Sequence, residues 1–209
     1  MSRLPAWIGQ HLAAVRAIIV MTVITGVIYP LAMLGIGQAA FHNQANGSLV
    51  TANGKVAGSS LLCQEFVDAK GNPLPRYFQP RPSTASSSAD KADYGCDPLY
   101  SGASNLGTNN ATLLAAIRAR KAAYAKLNGV PLADVPPDAV TTSGSGLDPY
   151  ISPGNAADQV NRVAAARHLP VSQVQALVGR YTQGRTLGFL GEPRVNVLLL
   201  NSALDALRT

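Results

Sequence analysis

AIIVMTVITGVIYPLAMLGIG, residues 17–37, decides the architecture of this chain. From residue 17 through residue 41 no side chain carries a formal charge. As a helix rising about 1.5 Å per residue, that run reaches about 37 Å, against a hydrocarbon core of about 30 Å. It is longer than the apolar region of a cleaved signal peptide, about 7–15 residues, although GQA before Ala40 resembles a cleavage site. The stretch therefore reads as one uncleaved transmembrane helix, and residues 1–42 as a membrane anchor.

Charge gives the orientation. Arg3 and Arg16 precede the helix, and the first formal charge after it is Lys55. Cationic flanks stay in the cytoplasm, so the N-terminus is expected inside and residues 43–209 outside, as one extracytoplasmic domain. Pro30 removes a backbone hydrogen bond and crowds the carbonyl of Gly26, so a local kink is expected there. Thr22 with Gly26, and Gly35 with Ala39, form small-xxx-small pairs that let a second helix approach closely. Thr22, Gly26, Pro30, Gly35 and Ala39 are the candidate packing residues within the membrane.

The outer portion holds all but two of the 17 basic residues and all 11 acidic ones, a net charge of +4. With no concentrated basic stripe and no known reader module, nucleic acid is not an expected partner.

Residues 46–67 read as strands. Asn53-Gly54 between SLVT and KVAG is a two-residue hairpin signal, and SLLCQEF reads as a further strand. Residues 68–109 show little periodicity and are rich in Pro, Ser, Gly, Asn and Asp, a long loop of the kind that is often functional. NNATLLAAIRARKAAYAKLNG is a helix with Asn110 or Thr108 as its cap and Gly129 past its end. Leu113, Ile117, Tyr124 and Leu127 share one face. SPGNAADQVNRVAAARHLP is a second helix, capped by Ser152 with Pro153 in its first turn; Ala156, Val160, Val163 and Ala164 face inward. A third spans about residues 172–181, with Val174, Leu177, Val178 and Tyr181 inward. RVNVLLLN reads as a buried strand and SALDAL as a short closing helix. Strands, then helices, then a late strand imply an α+β domain.

The residues for chemistry are sparse. Three histidines, His11, His42 and His168, are widely separated, which disfavours metal sites and Ser–His or Cys–His pairs. There is no GxxxxGK[ST] loop, no GxGxxG after a strand and no GxSxG elbow, so Ser145 in GSG lacks the context of a hydrolase nucleophile. Cys63 and Cys96 either pair, closing a loop worth roughly 3–4 kcal/mol, or remain two buried thiols; spacing alone leaves both open. Nothing in this inventory calls for an enzyme or a bound metal.

Several long motifs occur in one order: GVIYP at 26–30, NGSLV at 46–50, GSSLLCQEF at 58–66, YFQPRPS at 77–83, SGASN at 101–105, TTSGSGLDPYISPGNAADQVNRVAAAR at 141–167 and LGFLGEPRVNVLLLN at 187–201. On these the chain resembles, over almost its whole length, the C subunit of the Kdp potassium-transporting ATPase, a bacterial high-affinity uptake complex. Cys63 stands where a small or apolar residue would serve, and the resemblance implies no role for either cysteine.

The resemblance implies a non-catalytic accessory subunit, anchored by a single pass in the bacterial inner membrane. Its partners would be a channel-like potassium-binding A subunit and a P-type, ATP-hydrolysing B subunit. It further implies a catalytic chaperone that stabilises assembly and raises the B subunit's affinity for ATP, with ATP as a possible ligand. Backbone donors for phosphate would come from YSGASNLG and TTSGSGLDP, making Ser101, Gly102, Ser104, Asn105, Ser143, Gly144, Ser145, Gly146 and Asp148 candidate nucleotide or partner contacts. The helix-start signal at Ser152-Pro153 favours a turn and contact surface over a phosphate cradle. Two alternatives are an anchored enzyme, which lacks a nucleophile with a base, and an extracytoplasmic cap that concentrates potassium. A net +4 disfavours the cap unless Asp90, Asp93 and Asp97 form a local acidic patch.

Overall fold

A computed structural model describes residues 5–52, 54–86 and 95–207. The chain divides into two units, Met1–Ser48 and Leu49–Thr209.

The first unit is helical. Helix α1 (Ala6–Val23), a π-helical turn (Ile24–Ile28) and helix α2 (Tyr29–Ala40) run on as one apolar helix of 35 residues. None of its most apolar window is buried. It begins earlier than the uncharged run, so Arg16 lies within it. The disturbance expected at Pro30 takes the form of the π turn. Pro30 has no N–H to offer Gly26, and the ladder shifts just before it, with Tyr29 N–H donating to Ile24 O, five residues back. The Thr25 hydroxyl also donates to Met21 O at 2.7 Å. A short helix α3 (His42–Ala45) closes the unit.

The second unit is the expected α+β domain. Strands β1 (Leu49–Ala52) and β2 (Lys55–Ser59) pair antiparallel with Ala52 opposite Lys55, and a bulge lies at Val50/Thr51. The predicted turn residue Asn53 lies outside the described residues; Gly54 has φ +75°. The expected strand over 60–66 is absent. Cys63 N–H donates instead to Leu147 O at 2.9 Å, so this segment is tied to a distant loop rather than to a strand ladder. The described parts of 68–109 hold no helix and no strand beyond an isolated Val67–Pro73 bridge.

Helix α4 (Ala111–Asn128) is capped by Asn110, whose side chain accepts from Thr112 N and Leu113 N; Gly129 ends it with φ +68°. Strand β3 (Tyr150–Ile151) leads into helix α5 (Pro153–Arg167), capped by the Ser152 hydroxyl accepting from Asn155 N. Helix α6 (Val171–Tyr181) is followed by β4 (Thr182–Gln183), β5 (Arg194–Asn196) and helix α7 (Val197–Ala206). The sheet order is β3-β5-β4, all antiparallel.

VNVLLL is therefore not a strand. Only Arg194–Asn196 is extended, and VLLL opens α7. The Asn196 side chain accepts from Leu199 N at 3.0 Å and starts the helix, after which leucine favours it. The six-residue apolar run was ambiguous because a buried helix and a buried strand look alike at that length.

The core gathers Ile151, Ala156, Val160, Val163, Ala164, Val174, Leu177, Val178, Val195, Val197, Leu200 and Leu204 around Phe78, with Tyr181 packed against it. The faces expected of α5 and α6 are thus the ones buried. Each fully buried leucine contributes about 1.5–3 kcal/mol. A smaller cluster of Ala125, Val135, Ala139 and Val140 sits under α4, with Ile117 and Tyr124 against it. Gly58 lets the β1–β2 hairpin close on α7: a Cβ there would stand 3.1 Å from Leu198 Cδ2.

Candidate functional site

The two loops that read as phosphate or partner contacts meet each other. Gly102 N–H donates to Ser145 O at 2.8 Å, and the Ser101 hydroxyl donates to the same oxygen at 3.0 Å. Thr84 Oγ1 donates to Gly102 O at 2.9 Å. The Ser83 hydroxyl donates to Gly146 O at 2.6 Å and accepts from Ala85 N and Cys96 N. Cys96 is joined to Cys63 in a disulfide with Cα atoms 5.4 Å apart. The result is a knot of irregular chain in which 83–85, 95–97, 101–102 and 145–147 bind one another.

At its centre Gly146 has φ +71°, and a Cβ there would lie 2.7 Å from Gly102 O and 2.9 Å from Ala85 N. Asp148 turns away to Arg81, whose Nη1 lies 3.1 Å from Oδ2, and its Oδ1 accepts from Tyr150 N. Ser143 is buried, Gly144 and Asn105 are exposed, and Ser104 is partly buried. Asn105 adopts φ +50°.

A second set of polar residues was not singled out from the sequence. Asn201 on α7 holds Phe78 by both backbone groups: its Oδ1 accepts from Phe78 N and its Nδ2 donates to Phe78 O, each at 2.9 Å. Gln159 on α5 does the same for Gln79, with Oε1 accepting from its N–H at 2.7 Å and Nε2 donating to its O at 3.2 Å. Arg162 donates to Pro75 O and Tyr77 O, and Arg167 to Arg76 O and Asp205. Two helices thus grip residues 75–79 as side-chain substitutes for strand partners. The signal for this existed. Asn155 and Gln159 recur four apart on the same face as Ala156, Val160 and Val163, and a polar residue on an apolar face needs a partner.

Next to this grip lies a network of acids. Asp138 accepts from Ser152 N, Ser152 Oγ and Asn155 Nδ2. The Tyr124 hydroxyl donates to Asn155 Oδ1 at 2.9 Å and to Asp158 Oδ2 at 3.3 Å. Burial first, then the Asp158 charge, push the Tyr124 hydroxyl well above the ordinary phenol range, so it stays a donor. Burial also raises Asp158, a change opposed by the Tyr124 hydrogen bond and aided by the Asp134 and Asp138 charges. It lowers Arg162 to about 10.

A cleft of about 680 Å³ opens between α4 and residues 65–82, lined by Glu65, Gln79, Arg81, Arg120, Tyr124 and Lys126 among others. Burial raises Glu65 to about 7. Among the described residues no cluster of three or more His, Cys, Asp or Glu is placed to hold a metal ion. Most of the polar groups traced here face one another rather than an opening.

Comparison with known proteins gives one answer over nearly the whole length. The family described as K+-transporting ATPase, c chain, matches residues 11–206. A potassium-transporting ATPase KdpC subunit of Mycobacterium tuberculosis is 50% identical over 200 residues, covering 95% of this chain and 98% of that one. The KdpC subunit of Methylococcus capsulatus is 51% identical over 201 residues, covering 96% and 100%. That of Streptomyces avermitilis is 48% identical over 207 residues, covering 93% and 92%.

Proposed function

This chain belongs to the KdpC family of potassium-transporting ATPase subunits, and from that premise we propose a non-catalytic accessory subunit that works from outside the cytoplasmic membrane by touching its neighbours. The α1–α2 helix anchors it, with the N-terminus inside and the α+β domain outside. Its partners are the channel-like subunit that binds potassium and the subunit that hydrolyses ATP. Its effect is to stabilise the assembled complex and to raise the ATP affinity of the hydrolysing subunit.

The observation that carries this reading is an unburied 35-residue apolar helix followed by a domain whose loops at 101–102 and 145–147 are tied to its own irregular segments. The Cys63–Cys96 bridge supports the outward placement, since disulfides persist in oxidising compartments and are rare in the cytosol.

ATP contact by this chain is a weaker reading at the 101–105 and 143–148 loops. Phosphate would have to displace the Gly102 N–H bond to Ser145 O and the Cys63 N–H bond to Leu147 O. A potassium-collecting cap would need its acidic patch, of which Asp90 and Asp93 lie outside the described residues, while Asp97 Oδ1 accepts from Leu99 N.

The test is potassium-stimulated ATP hydrolysis by the purified complex with and without this chain, at ATP well below saturation. A severalfold rise in the ATP concentration for half-maximal rate on omission is expected. An unchanged value would remove the chaperone role.

A further inference from the structure

The Cys63–Cys96 bridge is buried but not sealed. Its residues are 8% and 7% exposed, and both line a cavity of about 310 Å³ with Gln64, Glu65, Gly95 and Leu198. Each sulfur has an oxygen beside it. Cys63 Sγ lies 3.3 Å from Gly146 O, and Cys96 Sγ lies 3.8 Å from Glu65 Oε1. A disulfide sulfur carries no hydrogen, so neither contact is a hydrogen bond while the bridge is closed. Both become hydrogen bonds once the sulfurs are thiols. The pocket is fitted to the reduced pair as well as to the oxidised one.

Glu65 stands between two openings. It lines this cavity on one side and the cleft of about 680 Å³ beside α4 on the other. Arg81, Arg120, Tyr124 and Lys126 line that cleft, and Asp97 follows Cys96, yet burial is the sole cause that raises the Glu65 carboxyl to about 7. Near neutrality it therefore holds a proton that it can give up on one side and regain from solvent on the other. The chain around the bridge is also held by other means. Cys96 N–H donates to Ser83 Oγ, the Ser83 hydroxyl to Gly146 O, and Cys63 N–H to Leu147 O. These bonds lead from one cysteine to the other, so the two sulfurs stay neighbours when their own bond opens.

We propose that the Cys63–Cys96 bridge is a reversible redox switch opened by a dithiol, with Glu65 as the acid that protonates the departing sulfur of Cys96. The inference stands apart from the accessory-subunit reading above. A thiolate of the dithiol bonds to Cys63 Sγ, the Cys63–Cys96 bond breaks, and its electron pair leaves on Cys96 Sγ. The Glu65 proton passes to that sulfur, since a buried thiolate is the stronger base, and the carboxylate regains a proton from solvent through the cleft. The second thiol of the dithiol then displaces Cys63, which takes that thiol's proton and donates to Gly146 O. The bridge has gained two electrons and two protons, and the dithiol leaves as a disulfide. Opening removes the covalent tie between segments 60–66 and 95–97 and leaves the knot on hydrogen bonds alone.

The test uses the full-length chain in lipid nanodiscs, with dithiothreitol as the dithiol. Opened thiols are trapped by alkylation and counted by mass, and each rate is divided by the reagent's thiolate fraction. The rate is expected to rise in proportion to dithiothreitol. Per thiolate, it is expected to fall about tenfold between about pH 6 and about pH 8, as the protonated fraction of Glu65 does. Glu65→Gln keeps a neutral side chain of the same shape but has no acidic proton, so its corrected rate should be low and flat over that range. Glutathione disulfide, added after the dithiol is removed, should close the bridge again without any unfolding step. The same pH profile in the native chain and in the Gln variant overturns Glu65 as the proton donor. A rate that stops rising with dithiothreitol and equals the rate of global unfolding makes the bridge a fixed staple and overturns the switch.

Discussion

Replacing Gly146 by alanine sets a methyl group 2.7 Å from the Gly102 carbonyl oxygen, in a backbone conformation with φ +71°. Neither atom is the free end of a side chain, so the knot must shift. A loss of about 2 kcal/mol or more is expected in chemical unfolding, against a few tenths at an open surface glycine. Asn201→Ala removes both partners of the buried Phe78 backbone and is expected to cost about 2–4 kcal/mol; a loss under about 1 kcal/mol would contradict the grip described here. Glu65 gives a pH signature. Burial raises it from 4.5 to about 7, so the folded state holds its proton more tightly than the unfolded state. That contribution is complete below pH 4.5 and is lost as pH rises through 7, up to about 3 kcal/mol. Glu65→Gln should flatten the stability profile over that window, and an unaltered slope would count against it.

Among elements, the irregular knot contains a cross-link. The Cys63–Cys96 bridge spans 33 residues, and its reduction is expected to cost roughly 3–4 kcal/mol and lower the melting temperature of the α+β domain. Insensitivity to reductant would show the knot to be self-sufficient. The helices were the most legible part of the sequence. Ser152-Pro153 and Asn110 mark starts by cap chemistry that acts within one turn, and the α5 and α6 faces follow from spacing alone. The extended-looking segments were not. SLLCQEF and VNVLLL have strand-like composition, yet the first is captured by Leu147 and the second by the Asn196 cap. Both outcomes depend on partners 84 residues away or on a competing local bond, which periodicity does not register. The loops at 101–105 and 143–148 were visible as special, but their contact with each other was not, because Gly102 and Ser145 are joined only in the folded chain.

At the scale of the whole molecule, the claim is an anchored subunit that acts through contact. The anchor has a wide π turn at Ile24–Ile28, which contains Gly26 and follows Thr22 by two residues. A Cβ on Gly26 meets only Thr22 Cγ2, at 3.8 Å, so a larger residue there fits this helix and would be felt only by a helix packed against that face. Gly26→Leu is accordingly expected to weaken recovery of the complex while leaving the α+β domain folded; full recovery would argue that this face meets lipid. Topology underlies the rest. Lys126, exposed on α4, reports it in intact cells treated with a membrane-impermeant amine reagent. Lys126 is expected to be modified without permeabilisation. Modification only after the membrane is opened would place the domain inside and contradict it.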